Sequence, residues 1–151
     1  ELNQYYPVQS LEDVPGFFNS NTFMVAKENF NLKSLRLHII NRFRDPRVHF
    51  ALYLGGLSSP KIPTSAFSHQ EIDKKLDEIS TAYINDLTYI KIKTRSKLIL
   101  LPEFLLWNIN DFNLKGRDEY VAYLNGFRTK EKQIPSGYKV RYYPYSWKLA
   151  E

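Results

Sequence analysis

The chain has 151 residues, 43% of them hydrophobic and 15% aromatic, and its 21 Lys and Arg against 16 Asp and Glu give a net charge of +5. That length is one domain's worth, able to bury about two-thirds of its unfolded surface, and the aromatic content excludes a disordered tail. No run approaches the ~18 apolar residues of a membrane span, and with no cysteine the chain can make neither disulfides nor thiolate chemistry.

The chain opens on Glu1 and not on Met, which predicts an excerpt of a longer protein. The lack of cysteine and of an Asn-x-Ser/Thr site favours an intracellular, cytoplasmic setting. In chain order, Tyr5 and Tyr6 come first, aromatic side chains of the type enriched at interfaces. Asn31 to Phe43 then places Leu32, Leu35, Ile39 and Phe43 at helical spacing. Asp45-Pro46 ends that helix, because the residue before proline is pushed out of the helical region. From Arg47 to Leu54 the pattern alternates. Val48, Phe50, Leu52 and Leu54 fall on one face, with Arg47, His49, Ala51 and Tyr53 on the other, which predicts a strand.

Gly55-Gly56 and LSSPKIP form a loop. Ser68 to Glu71 reads as a capping box opening a helix whose core stripe is Ile72, Leu76, Ile79 and Tyr83. Thr88 to Lys93 and Lys97 to Leu101 flank Thr94-Arg95-Ser96 as a β-hairpin with one charged face. Short helices are expected over Glu103 to Asn108 and Arg117 to Phe127, followed by a strand and an aromatic turn in YKVRYYPYSW. The order predicts an α+β fold: a single compact domain with a mixed or antiparallel sheet packed against several helices.

Chemistry-bearing residues are few. His38, His49 and His69 lie eleven and twenty residues apart without an HxxH or HExxH pair, so no metal site is expected. LGGLSSPK does not supply a phosphate cradle, and no cofactor is expected. Ser58 or Ser59 could be a nucleophile with His49 as its base. On a strand, however, His49 to Leu54 spans ~16 Å, and the loop would have to double back. The alternative is that both serines satisfy loop backbone groups and His49 is a half-buried strand residue.

The positive excess sits at Lys91, Lys93, Arg95, Lys97, Lys115, Arg117, Arg128, Lys130, Lys132, Lys139 and Arg141. These are either a solvated rim or a surface for phosphates or an acidic protein partner. Tyr142, Tyr143, Tyr145 and Trp147 are, like Tyr5 and Tyr6, of the type enriched at interface hot spots, while Lys139, Arg141, Tyr142 and Tyr143 mix cations with aromatics as single-strand nucleic-acid binders do. Yet no RNP-type motif is present, and the helix from Ser68 to Asp86 carries five acidic residues against two lysines. Tyr142 and Tyr143 point to opposite sides of a strand, so one belongs in the core.

DPRVHFALYLGGLSSPKI, from Asp45 to Ile62, resembles the central motif of domain-of-unknown-function family 547. Asp45, Pro46, Arg47, His49, Phe50, Ala51, Leu52, Gly55, Ser58 and Pro60 match. PGFF (Pro15 to Phe18), NLKSLRLHII, FLLWNINDF (Phe104, Trp107, Asp111 and Phe112 matching) and YYPYSWKL are similar to further family blocks in the same order. The resemblance runs from about Val14 to Leu149, which implies that residues 1–13 are an N-terminal extension.

It implies a papain-like thiol hydrolase relative with a cysteine, histidine and glutamate set. By that correspondence the motif cysteines fall on Leu54 and Ser59, and the glutamate-histidine pair of the helix falls on Arg36 and Leu37. Only His49 is kept. A hydroxyl hardly ionises where a thiol does, Arg36 reverses a charge, and Leu54 is inert. The expectation is a pseudoenzyme acting as a protein-interaction or scaffold module in a larger protein, partnered by another protein with an acidic surface. The alternatives are a residual hydrolase using Ser59 and His49, and a nucleic-acid binder.

Overall fold

The computed structural model describes residues 4–149, an α+β domain. Near the N-terminus, Ser10 caps the single 3-10 turn Leu11–Asp13 by accepting the Glu12 N–H. The turn is stitched to the far end of the chain. Leu11 N–H donates to the Trp147 carbonyl at 3.1 Å and Leu149 N–H to the Gln9 carbonyl at 3.0 Å. Leu11 is buried, so this part of the stretch expected as an extension packs into the domain, while Tyr5 and Tyr6 are exposed.

β1 (Phe23–Val25) and β2 (Glu28–Phe30) form an antiparallel hairpin. Its two turn residues, Ala26 and Lys27, both take positive φ, as a right-twisting two-residue turn requires. With no glycine or asparagine there, the sequence gives no turn signal. α1 (Leu32–Phe43) opens on a capping box: the Asn31 side chain accepts the Ser34 N–H at 2.8 Å, and the Ser34 hydroxyl accepts the Asn31 N–H at 2.9 Å. Arg44, left-handed at φ 50°, ends it. Of the residues at helical spacing, Ile39 packs against the small cluster of Ile40, Val48 and Leu76. Ile40 is the buried residue of α1, while Leu32 and Phe43 are exposed.

The strand expected over Arg47 to Leu54 is a helix, α2 (Val48–Ala51), followed by an extended segment. Pro46, which stops α1, also starts α2: a proline's missing N–H costs nothing in a first turn. The Pro46 carbonyl accepts the His49 N–H, the Arg47 carbonyl the Phe50 N–H and the Val48 carbonyl the Leu52 N–H. Asp45 accepts the Arg47 N–H at 2.9 Å, as a cap would. Val48, His49 and Phe50 are therefore buried in succession, which an alternating strand facing solvent could not achieve.

α3 (Ile72–Asn85) buries Leu76, Ser80, Tyr83 and Ile84, with Ile72 and Ile79 packed at its margins. Its expected capping box is not made, because the Ser68 hydroxyl donates to the Glu71 carboxylate at 3.1 Å. Arg47 ties α2 to α3 through Asp45 (2.6 Å), Asp73 (2.5 Å) and Asp77 (2.7 Å). Burial pushes the Asp45 carboxyl up, but its bonds to Arg47 more than offset that and hold it below the usual range.

The second sheet is mixed. β3 (Lys91–Lys93) pairs antiparallel with β4 (Leu98–Pro102), and β5 (Lys139–Tyr143) joins β4 in parallel. Between them run α4 (Phe104–Trp107), the 3-10 turn Ile109–Phe112 and α5 (Arg117–Gly126). Ile99 and Leu101 of β4, Phe50, Ile84, Phe104, Leu105 and Leu124 form the centre of the core at 0–1% exposure, so this half of the chain is fixed by side-chain packing. Arg128, counted above as surface charge, is buried and holds the Ile84 and Lys132 carbonyls, each at 2.6 Å.

Candidate functional site

A cavity of about 500 Å³ opens between α1, the Phe17–Asn19 turn, the Leu52–Gly55 segment and the paired rings of Trp107 and Trp147. The apolar side chains Leu32, Leu35 and Ile39 of α1 form one wall, with Ile39 also packed against the Ile40 cluster. The opposite wall is built from aromatic contacts. Trp107 stacks on Trp147 at 6.1 Å and Phe18 meets Trp147 edge-on at 5.5 Å. Gly56 lets the loop approach the C-terminal segment: a Cβ there would sit 2.3 Å from the Ser146 carbonyl oxygen.

Arg36 projects from α1 into this wall. It forms a hydrogen bond from Nη2 to Asn108 Oδ1 at 3.0 Å, and Asn108 is itself anchored by its Nδ2 on the Phe104 carbonyl. Its buried Nε has no hydrogen-bond partner, and among the described residues Arg36 has no carboxylate within ion-pair distance. Burial lowers the Arg36 pKa, opposed by the nearby charge of Asp111.

His49 lies behind Arg36, buried and stacked on Phe112. Its Nε2 is 2.9 Å from Asp111 Oδ2. Burial lowers its pKa, Asp111 opposes the shift, and the Arg36 charge adds to it. The ring is therefore neutral at pH 7, and we assign the proton to Nε2, facing the carboxylate. Nδ1 is left as a buried lone pair without a partner. This is how a carboxylate orients a histidine base, but no hydroxyl bonds to that base.

The two serines serve the backbone. Ser59 Oγ accepts the Leu54 N–H at 2.6 Å and shares a hydrogen bond with the Tyr145 hydroxyl at 2.8 Å, while Ser58 Oγ accepts the Ser146 N–H at 2.9 Å. The loop does double back, but onto Leu54 and not onto His49. The five positions singled out by the resemblance are thus dispersed. Arg36 and Leu54 line the cavity, Leu37 faces solvent, His49 pairs with Asp111, and Ser59 is a buried strut. Residues 8–84, a little over half of the chain, match the family model described as Protein of unknown function, DUF547. The chain belongs to this family. No curated protein and no solved structure matches it. The DUF547 match includes PGFF, α1 and the central motif, and hence most of the cavity lining. FLLWNINDF and YYPYSWKL lie beyond it.

The C-terminal candidates also separate. Register places Lys91 beside Leu100 and Arg141, and Lys93 beside Leu98 and Lys139, so these four cations share one exposed face of the sheet. Tyr142 is on the opposite face, and Tyr145 is buried. Tyr143 is half-buried beneath Lys91, whose Nζ is 4.6 Å from the ring, and its hydroxyl is held by the Tyr89 carbonyl. Neither Tyr142 nor Tyr143 is fully buried. Asn108 and Asp111, three apart in FLLWNINDF, are the polar partners that residue-type searching missed. Their helical spacing just after Trp107 was the available signal.

Proposed function

We propose that this DUF547 domain binds and does not catalyse: a papain-like hydrolase relative whose cleft serves as a docking site for an apolar segment of a partner protein. The observation that carries this reading is the Ser59 hydroxyl, bridged between the Leu54 N–H and the Tyr145 hydroxyl while His49 is turned to Asp111. A serine needs an adjacent base to become nucleophilic. The base is present here without a nucleophile. Large apolar side chains left exposed at the cavity mouth, Leu32 (39%), Tyr53 (45%) and Trp107 (48%), are what a protein interface buries.

The test is exposure of the protein to a fluorophosphonate probe, with peptide mapping of Ser59. The proposal expects Ser59 to stay unmodified. An adduct that is lost in His49→Ala would establish the residual hydrolase instead.

A second reading, a polyanion such as nucleic acid, is favoured by the exposed sheet face. Lys91, Lys93, Lys139 and Arg141, with Arg95 and Lys97 in the hairpin turn, account for the whole charge excess. Without these six, 15 cations face 16 acidic residues. The buried Tyr145 and covered Tyr143 leave this face without a stacking platform, so any such binding is to phosphates. It predicts affinity falling steeply with salt, and a shallower slope in Lys139→Ala.

A further inference from the structure

Resting on the docking reading above, we propose that the cavity receives the C-terminal tail of a partner protein, its last apolar side chain inside and its terminal carboxylate on Arg36. Three observations meet here. First, the cavity is walled by Leu35, Ile39, Leu54, Trp107 and Trp147, so its occupant buries an apolar group. Second, Arg36 sits in that wall with one hydrogen bond and no ion pair among the described residues. A partly buried guanidinium that Asp111 reaches only beyond ion-pair distance favours a closer anion, and its planar fork suits a carboxylate. Third, the segment from the extended Leu52 to Gly55 lines the cavity without belonging to a sheet, and among the described residues neither the N–H nor the carbonyl of Tyr53 is hydrogen-bonded. Those main-chain groups can pair with a peptide laid beside them. A fatty acid meets the first two conditions but has no use for the third.

The experiment presents the full chain with a pooled library of tryptophan-free hexapeptides, each as free acid and as C-terminal amide, and reads retained peptides by mass spectrometry. The best pair is then titrated by intrinsic fluorescence. Both tryptophans of the chain line the cavity, so the signal reports its occupancy. Acids ending in an apolar residue should be retained, about tenfold or more tighter than their amides, the effect of a charge-assisted hydrogen bond. Arg36→Met should abolish the preference and Arg36→Lys should keep part of it. If the thermal midpoint of Arg36→Met falls, Arg36→Lys carries the comparison. Decanoate, titrated in parallel, should bind more weakly than the selected acid.

Equal retention of acids and amides, or a preference that survives Arg36→Met, overturns the carboxylate assignment and leaves apolar docking intact. Decanoate binding as tightly as the peptide overturns the tail in favour of a fatty acyl group. If neither peptide form perturbs the tryptophans, this inference and the docking reading both fall.

Discussion

α1 and α3 are amphipathic helices of 12 and 14 residues that use their apolar faces in opposite ways. α3 presses Leu76, Tyr83 and Ile84 into the interior, where Tyr83 stacks on Tyr89 at 4.2 Å and meets Phe50 at 5.4 Å. α1 buries Ile40 and leaves Leu32, Leu35 and part of Ile39 as the wall of an open cavity. One helix holds the fold together, and the other is held by its capping box so that its face stays available. On the proposed function, stability rests on the face of α3 and binding on the face of α1, and substitutions can separate the two.

The largest effect should come from the core. Phe50→Ala removes a side chain with no exposed surface and should cost about 3–5 kcal/mol in denaturant unfolding. Leu32→Ala, at the cavity rim, should cost less than about 1 kcal/mol. Equal costs would break the comparison. Next is Arg47→Met, which frees α2 from α3 and strands the half-buried Asp45; about 1–2 kcal/mol is expected from the network. Asp73→Asn, on a side chain 80% exposed, should cost less than about 0.5 kcal/mol. Asn31→Ala, which opens the capping box of α1, should cost about 1 kcal/mol and also weaken any ligand of the cavity, whose wall it loosens.

The smallest effect expected is a pH dependence. His49 is held neutral in the fold, with its pKa lowered by burial, while the unfolded chain protonates it near about 6.5. Between those two values the unfolded state binds more protons, so stability should fall as pH drops below about 6.5 and level off beneath the folded pKa. His49→Gln should remove that slope in urea titrations at stepped pH. An unchanged slope would assign it to other groups.

Periodicity and turn chemistry located α1, α3, the β3–β4 hairpin, α4, α5 and β5, because each obeys a local rule. What they missed was decided by tertiary structure. The alternation from Arg47 to Leu54 mimics a strand, yet Pro46 and the Asp45 cap start a helix there, and three successive residues find burial on different sides. For the site, the candidates Arg36, His49, Leu54 and Ser59 were visible one by one. That Ser59 is a strut depends on a loop closing on Tyr145, 86 residues away, and that His49 turns to Asp111 depends on a partner 62 residues away. Nor could the apolar stripe of α1 reveal that it faces a cavity, since core and cleft demand the same residue types.

The most direct test of a cleft that holds without reacting is a single titration with p-nitrophenyl octanoate, following tryptophan fluorescence and nitrophenolate release together. The account predicts a saturable change at Trp107 and Trp147 with no nitrophenolate beyond that formed in buffer. Release above buffer that disappears in Ser59→Ala would contradict it and restore the domain to the enzymes.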